Sequence, residues 1–228
     1  MNTRRSIVLL ALAFAACSKA ENTPPADTSA PVAAVPAADP DVNVSGGAVP
    51  AGFTARADKD AAMSGAAYTA NGDRWEVRTG PAHIVYSANT LGAGNYTASG
   101  TIEQLEAPTH PEAYGIFIGG RDLDKPTQAY TYFIVRGTGD MAVKVREGDK
   151  TRDVIKWTAS ADVPKADASG KATYALDAQV TGDAVKFSVN GKQVGSVSKA
   201  GLPTEGIAGL RINHNLHVNV TPVTVKTP

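Results

Sequence analysis

Apolar and polar residues alternate with period two along most of the chain. Residues 96–103, 174–180 and 185–189 each follow this pattern and are rich in β-branched and aromatic side chains. Such alternation is typical of half-buried β-strands. Residues 114–118 and 130–135 are instead apolar at nearly every position, which predicts central strands covered on both sides. Residues 58–67 are the one short helix candidate, so the pattern predicts an all-β fold.

Short turn sequences separate these segments. Asn190-Gly191 stands between two of them and favours a hairpin with a type I′ turn, because both central residues of that turn need a positive φ. Gly182-Asp183 and the stretches 137–140 and 147–150 are similar links. About a dozen strands spaced by about 8–12 residues predict a two-sheet antiparallel sandwich. We place this β-sandwich domain in residues 51–228, which are numerous enough to form one core.

The beginning of the chain has the order of a secretory signal. Arg4 and Arg5 precede an apolar run over residues 7–16 that ends in Ala15 and Ala16. Charged, apolar and small residues in this order are typical of a signal peptide. The run has about half of the roughly 20 residues that a membrane-spanning helix needs. We therefore predict that residues 1–16 are a signal peptide.

The chain's single cysteine, Cys17, follows this signal directly. The arrangement resembles the lipobox of bacterial lipoproteins, although Phe14 stands where leucine is usual. The alternative is an ordinary signal that ends near a free cysteine, but a lone thiol in an oxidising compartment would have no partner. The resemblance implies that Cys17 is acylated and anchors the protein to a lipid bilayer. Ser18, in place of aspartate, implies an outer-membrane lipoprotein of the cell envelope.

Residues 17–50 are predicted to be a lipid-anchored tether. Positions 18–50 contain 8 Ala and 6 Pro, with no aromatic residue and no hydrophobic period. Such a segment buries too little surface to offset its ordering entropy.

Without residues 1–16 the chain has 20 basic and 22 acidic residues, a net charge of −2. This balance argues against a nucleic-acid partner, and we expect a monomer.

Several segments from about residue 96 to residue 225 resemble, in their order, the concanavalin A-like jelly roll. They are 114–120 (YGIFIGG), 130–133 (YTYF), 155–157 (IKW), 185–192 (VKFSVNGK) and 206–212 (GIAGLRI). The F-x-V-N-G hairpin followed by G-x-x-G-L-R is similar to laminin-G-type modules and to 3-keto-disaccharide hydrolase-type domains. The resemblance implies a jelly-roll sandwich that binds or cleaves carbohydrate or serves as an interaction module. Fold alone does not choose among these functions.

Candidate chemistry is sparse. Retaining glucanases of this fold use an E-x-D-x-E strand, which is absent here, so an enzyme is the less favoured interpretation. Asp122 and Asp124 stand in a loop after a predicted central strand, and alternate oxygen ligands suit a structural Ca²⁺. The alternative is a solvated turn in which Arg121 pairs with one of these carboxylates. Apart from this calcium we expect no cofactor.

The densest polar cluster covers residues 213–219. Period two places Asn213, Asn215, His217 and Asn219 on one strand face and His214 on the other, apolar face. Asparagine side chains both donate and accept hydrogen bonds, as sugar hydroxyls require. Trp157 or Tyr132 would add a flat stacking surface. We therefore predict ligand binding at Asn213, Asn215, His217, Trp157 and Tyr132. We interpret His214 as a core imidazole, because no third metal ligand is evident.

Three functions are compatible with these observations. The leading hypothesis is a membrane-anchored binding module, with a glycan as its ligand. The second is a carbohydrate-active hydrolase of the 3-keto-disaccharide type. The third is a structural or protein-interaction lipoprotein.

Overall fold

The computed structural model describes residues 39–228; Cys17 and the predicted signal peptide lie outside this range. No helix among the described residues is long and apolar enough to span a membrane. The described chain forms strands joined by turns. Their bounds are β1 Thr54–Ala57, β2 Ala66–Asn71, β3 Arg74–Thr79, β4 His83–Gly92, β5 Tyr96–Gln104, β6 Ala113–Arg121, β7 Ala129–Arg136, β8 Asp140–Glu147, β9 Lys150–Ala159, β10 Ala172–Thr181, β11 Ala184–Val189, β12 Lys192–Ser198, β13 Gly206–Ile212, β14 Leu216–Val220 and β15 Thr224–Lys226.

These strands form two antiparallel sheets. One sheet has seven strands in the order β1-β4-β13-β6-β7-β8-β9. The other sheet has eight strands. Seven of them follow the order β12-β11-β10-β5-β14-β3-β2, and the eighth, β15, also pairs with β5. The predicted all-β, two-sheet antiparallel sandwich is confirmed.

Alternation along the strands builds the core between the sheets. In β5 the buried and half-buried positions alternate over the whole strand, as the sequence pattern predicts. Strands β6 and β7 lie in the middle of the seven-stranded sheet and are buried on both faces, which confirms the prediction for residues 114–118 and 130–135. The core joins aromatic and aliphatic side chains of both sheets, such as Phe133 and Phe187, whose ring centroids are 5.2 Å apart.

Two local predictions have different outcomes. The hairpin between β11 and β12 turns at Asn190 and Gly191, with φ values of 50° and 79°, so the type I′ prediction is confirmed. Residues 58–67 form no regular helix. They contain two single 3₁₀ turns, Asp58–Asp60 and Met63–Gly65, and then the start of β2.

Residues 39–50, which the sequence analysis included in the tether, contact the sandwich. The structure groups Asp39–Pro228 as one compact unit. The backbone N–H of Val42 donates a hydrogen bond to Asn215 Oδ1 at 2.8 Å, and Gly47 O accepts one from the Tyr68 N–H. The segment therefore contributes side chains to one end of the domain, although it lacks regular secondary structure.

Candidate functional site

The seven-stranded sheet carries a second apolar cluster on its outer face, which is turned away from the other sheet. Along β7, Phe133 and Val135 belong to the core between the sheets, whereas Tyr132 and Ile134 belong to the outer cluster. We call this surface the aromatic face. Its buried members are Ile84, Tyr86, Ala113, Phe117, Leu123, Tyr130, Tyr132, Ile134 and Ala142, and Trp157 and Ile207 pack against them.

Four aromatic rings form a continuous row on this face. Ring centroids are 6.4 Å apart between Tyr86 and Phe117, 5.0 Å between Phe117 and Tyr130, and 5.5 Å between Tyr130 and Tyr132. Rings at such separations attract one another beyond the effect of their buried area. Burial raises the pKa of Tyr130 above its usual range, so its hydroxyl stays protonated at neutral pH.

Trp157 and Arg136 form a stacked pair at the border of the aromatic face. The guanidinium carbon of Arg136 lies 3.6 Å from the centroid of the half-buried Trp157 ring, a cation–π arrangement. Arg136 Nε is buried and has no hydrogen-bond partner among the described residues. The pair thus combines a flat apolar ring with a planar guanidinium that carries N–H donors.

An ion pair between the buried Arg211 and the half-buried Asp58 lies on the same side of the sheet. The Arg211 guanidinium donates to both carboxylate oxygens of Asp58, at 2.9 and 2.7 Å. Its central carbon is 5.9 Å from the Tyr132 ring centroid. Burial would raise the pKa of Asp58, but the hydrogen bonds and charge of Arg211 outweigh this effect and hold the pKa below its usual value. The pair therefore stays ionised near neutral pH.

The chain crosses from one sheet to the other at residues 213–215. These residues join β13 of the seven-stranded sheet to β14 of the eight-stranded sheet, and we call them the corner turn. Asn215 has a φ of 54°, a left-handed conformation that asparagine adopts more readily than most residues. The prediction that period two continues along a single strand through residues 213–219 is wrong, because this turn breaks the period. Asn213 and Asn215 thus lie in the turn, not on a strand face with His217.

The interpretation of His214 as a core imidazole is also wrong. His214 lies in the corner turn among carboxylates: its Nε2 is 2.9 Å from Glu112 Oε1 and 3.7 Å from Asp39 Oδ2. Its Nδ1 is 3.2 Å from Asp41 Oδ1. Among residues 39–228, Asp39, Glu112 and His214 are the group of three side chains placed so that one metal ion could contact all of them. We call them, with Asp41, the corner cluster.

Both asparagines of the turn bind this cluster. Asn213 Nδ2 donates to Glu112 Oε2 at 3.1 Å, and Asn215 Nδ2 donates to Asp39 Oδ1 at 3.1 Å. Arg211 Nε in turn donates to Asn213 Oδ1 at 3.2 Å. A hydrogen-bonded chain therefore runs from the aromatic face, through Arg211 and Asn213, to the corner cluster.

His217 and Asn219 lie on the outer face of the eight-stranded sheet. His217 Nε2 is 2.7 Å from Glu76 Oε1, and Asn219 Nδ2 donates to Glu103 Oε2 at 3.2 Å. A cleft of about 210 Å³ adjoins His217 and is lined by Arg78, Glu106, Asn215 and His217 among others.

The five predicted ligand-binding residues thus do not come together. Asn215 and His217 border the cleft, Asn213 lies in the corner turn, and Trp157 and Tyr132 lie on the aromatic face. Both sheets and the core between them separate the cleft from the aromatic face, so one small ligand does not contact all of these side chains. Period two reveals which residues of a strand share a face, but not which sheet contains the strand.

The structure holds Asp122 in a local turn. Its carboxylate is 3.0 Å from Lys125 Nζ and accepts a hydrogen bond from Thr127 Oγ1 at 3.2 Å. The hydrogen bond from Lys125 lowers the pKa of Asp122. Lys125, not Arg121, is thus the cation that pairs with this loop. Asp124 is exposed, and the two aspartates belong to no group of three candidate ligands in the described part of the chain.

A further histidine, His83, is buried at the end of the core. Its Nε2 is hydrogen-bonded to Tyr68 Oη, and its Nδ1 is 3.0 Å from Pro81 O. Burial lowers the pKa of His83 to about 4, although the hydrogen bond to Pro81 acts in the opposite direction. The ring is therefore neutral at neutral pH, with Nδ1–H donating to Pro81 and Nε2 accepting from Tyr68.

Sequence reasoning missed Asp39, Asp41, Glu112 and Arg136 as possible site residues. Asp39 and Asp41 stand in a Pro/Ala-rich stretch, and Glu112 precedes a strand, so none belongs to a local motif. The one available signal was Asn-His-Asn at 213–215, a set of side chains suited to a turn that binds distant polar groups.

Comparison with known proteins supports the fold and no particular family. No protein-family model matches the chain, and no curated protein matches it. Among solved structures it is similar to the carbohydrate-binding module CBM66 from Bacillus subtilis, with 15% identity, a TM-score of 0.57, and 77% of this chain and 96% of that chain covered. A protein of unknown function with a galectin-like fold from Bacillus subtilis has 11% identity and a TM-score of 0.57 over 77% of this chain and 89% of that one.

An endo-glucanase of glycoside hydrolase family 16 from Bacteroides ovatus is similar as well. It has 10% identity and a TM-score of 0.52, over 76% of this chain and 94% of that chain. At these identities the likeness shows the fold alone. The chain is therefore a jelly-roll β-sandwich, which confirms the predicted architecture.

Proposed function

We propose that the domain binds a glycan on the aromatic face, with the half-buried Trp157 and Arg136 at the contact. The observation that carries this proposal is the stacked pair of Trp157 and Arg136, whose centres lie 3.6 Å apart. One face of a sugar ring is lined with C–H groups and packs well on a flat apolar surface. Its hydroxyls need hydrogen-bond partners, and the guanidinium of Arg136 carries N–H donors beside the Trp157 ring.

Two of the similar solved structures are consistent with this proposal. One is a carbohydrate-binding module and another is an endo-glucanase, and both share the jelly-roll fold with this chain. Binding without cleavage is the better supported of these two activities, because the chain lacks the E-x-D-x-E strand.

A glycan array probed with the full chain, followed by titration with the best ligand, tests the proposal. Trp157→Ala should weaken binding by about 30-fold, the effect of losing roughly 2 kcal/mol at a central aromatic contact. His217→Ala is the matched variant on the opposite sheet and should leave the affinity unchanged.

The other outcomes are equally informative. Binding that survives Trp157→Ala and is lost in His217→Ala would place the ligand in the cleft of the eight-stranded sheet. Release of sugar from the bound glycan would favour the hydrolase hypothesis. No binding by a correctly folded chain across a broad array would favour an interaction module.

We also propose that the protein is a lipoprotein of the outer membrane, anchored through Cys17. The support is the order of charged, apolar and small residues before this single cysteine, together with Ser18 after it. Cys17→Ser should move the protein from the membrane fraction to the soluble fraction, with Ser18→Ala as the control that leaves it in place. Wild-type protein that is soluble and has a free thiol would contradict the proposal.

A further inference from the structure

We propose that the corner cluster binds a divalent metal ion, with Asp39, Glu112 and His214 as its protein ligands. The three facing atoms, Asp39 Oδ2, Glu112 Oε1 and His214 Nε2, all lie within 4.8 Å of one another. A tetrahedral Zn²⁺ at about 2.0–2.2 Å from its oxygen and nitrogen ligands holds them roughly 3.4 Å apart. The observed separations of 2.9 and 3.7 Å from His214 Nε2 bracket this value.

The orientation of His214 is that of a metal ligand. Its Nδ1 is 3.2 Å from Asp41 Oδ1, so a hydrogen on this nitrogen would be donated to Asp41. Ligand histidines commonly donate their second N–H to a carboxylate in this way. In a neutral ring with its hydrogen on Nδ1, the lone pair of Nε2 faces two carboxylate oxygens, and a cation between them would stabilise this arrangement.

The asparagines of the corner turn fix the other two ligands. Asn213 Nδ2 donates a hydrogen bond to Glu112 Oε2, and Asn215 Nδ2 donates one to Asp39 Oδ1. The remaining oxygen of each carboxylate is the one directed toward His214. Each proposed ligand thus has a partner that orients it, as the supporting residues of metal sites do.

The charge balance of the cluster also favours a cation. Three carboxylates surround one imidazole, and Asp39 Oδ2 is buried with no hydrogen-bond partner among the described residues. Arg211 does not balance the negative charge of these carboxylates, because its guanidinium forms an ion pair with Asp58. A divalent ion would balance the charges of the two ligand carboxylates, Asp39 and Glu112, and give Asp39 Oδ2 a partner.

The donor set selects the kind of ion. Imidazole nitrogen suits Zn²⁺ and other first-row transition metals better than Ca²⁺ or Mg²⁺, which prefer oxygen ligands only. Three protein ligands leave one position of a tetrahedral ion for water or another small donor. The ion would join residues 39–41, the loop before β6 and the corner turn.

Isothermal titration of the untagged full chain with ZnCl₂, after removal of metals with EDTA, tests this proposal. We expect one ion per chain, and Co²⁺ in its place should give the visible absorption of a tetrahedral site. His214→Gln should weaken binding by at least 100-fold. Asp41→Asn, which alters only the partner of His214, should weaken it by about 10–100-fold.

The exposed His110 provides the matched control, because its loop leads to Glu112 but its side chain is not part of the cluster. His110→Gln should leave both stoichiometry and affinity unchanged. If His214→Gln does not fold, Glu112→Gln and Asp39→Asn serve instead. The proposal is overturned if wild-type protein binds neither Zn²⁺, Co²⁺ nor Mn²⁺ stoichiometrically, or if a folded His214→Gln variant binds as wild type does.

Discussion

Acid should destabilise the fold through His83 before it affects the carboxylates. The ring is fully buried and accepts a hydrogen bond from Tyr68 through Nε2 while Nδ1 donates to Pro81. A protonated ring carries hydrogens on both nitrogens, so the Tyr68 hydroxyl must turn and accept. Protonation therefore buries a charge and reverses one hydrogen bond.

The size of the effect follows from the two pKa values. Burial lowers the pKa of His83 in the folded chain to about 4, whereas an exposed histidine has a pKa of 6.5. The unfolded chain thus takes up the proton first. The contribution of His83 to stability is full above pH 6.5 and decreases as the pH falls to 4. The expected loss is about 2 kcal/mol at pH 5 and about 3 kcal/mol at pH 4.

Urea denaturation of the full chain at several pH values between 7 and 4 measures this loss. His83→Gln keeps a hydrogen-bonding side chain toward Tyr68 but has no proton to gain, so its stability should depend less on pH in this window. The pKa of Asp58 is held below 3.8, so its protonation affects stability only at lower pH, and it does so equally in both proteins. The difference between the two curves therefore isolates His83.

Equal pH dependence in wild type and His83→Gln would refute the reasoning. If the variant does not fold, NMR titration of the His83 ring in the wild type replaces the comparison. A ring that titrates near 6.5 in the folded protein would refute the expectation in the same way.

Two further changes test the fold. Gly191→Ala should destabilise the β11–β12 hairpin by about 1–2 kcal/mol, as judged by urea denaturation, because the new Cβ meets no neighbour but its φ of 79° strains any L side chain. Equal stability would mean that the turn relaxes. Asp58→Ala should destabilise the fold by about 3–5 kcal/mol in the same assay, because Arg211 remains buried without its partner. Asp122→Ala, which removes an exposed pair with Lys125, is the control and should have little effect.

The sequence was sufficient to predict the strands, because the burial of one strand face imposes its period on consecutive residues. The alternation in β5 and the doubly buried β6 and β7 are read directly from the chain. The hairpin at Asn190-Gly191 could be predicted for a similar reason, since the conformation of the turn restricts the residues that fit it.

The candidate site could not be predicted in the same way. In the sequence, the alternation of polar and apolar residues continues through the corner turn. No glycine marks the turn, because Asn215 itself adopts the left-handed conformation that the turn requires. His214 therefore appeared to belong to a strand. Its partners Asp39 and Glu112 are 175 and 102 residues away, and only the assembled sheets bring these side chains together.

The contacts of the corner turn also determine how the domain would respond to a mechanical load. Residues 39–42 precede β1 in the chain, and both Asp39 and Val42 hydrogen-bond to Asn215. Tension applied to the chain from the side of residue 38 would therefore reach the link between β13 and β14 before it reaches the edge strand β1. Because this link belongs to both sheets, the tension would be shared between them, and β1 would be protected from being peeled away first.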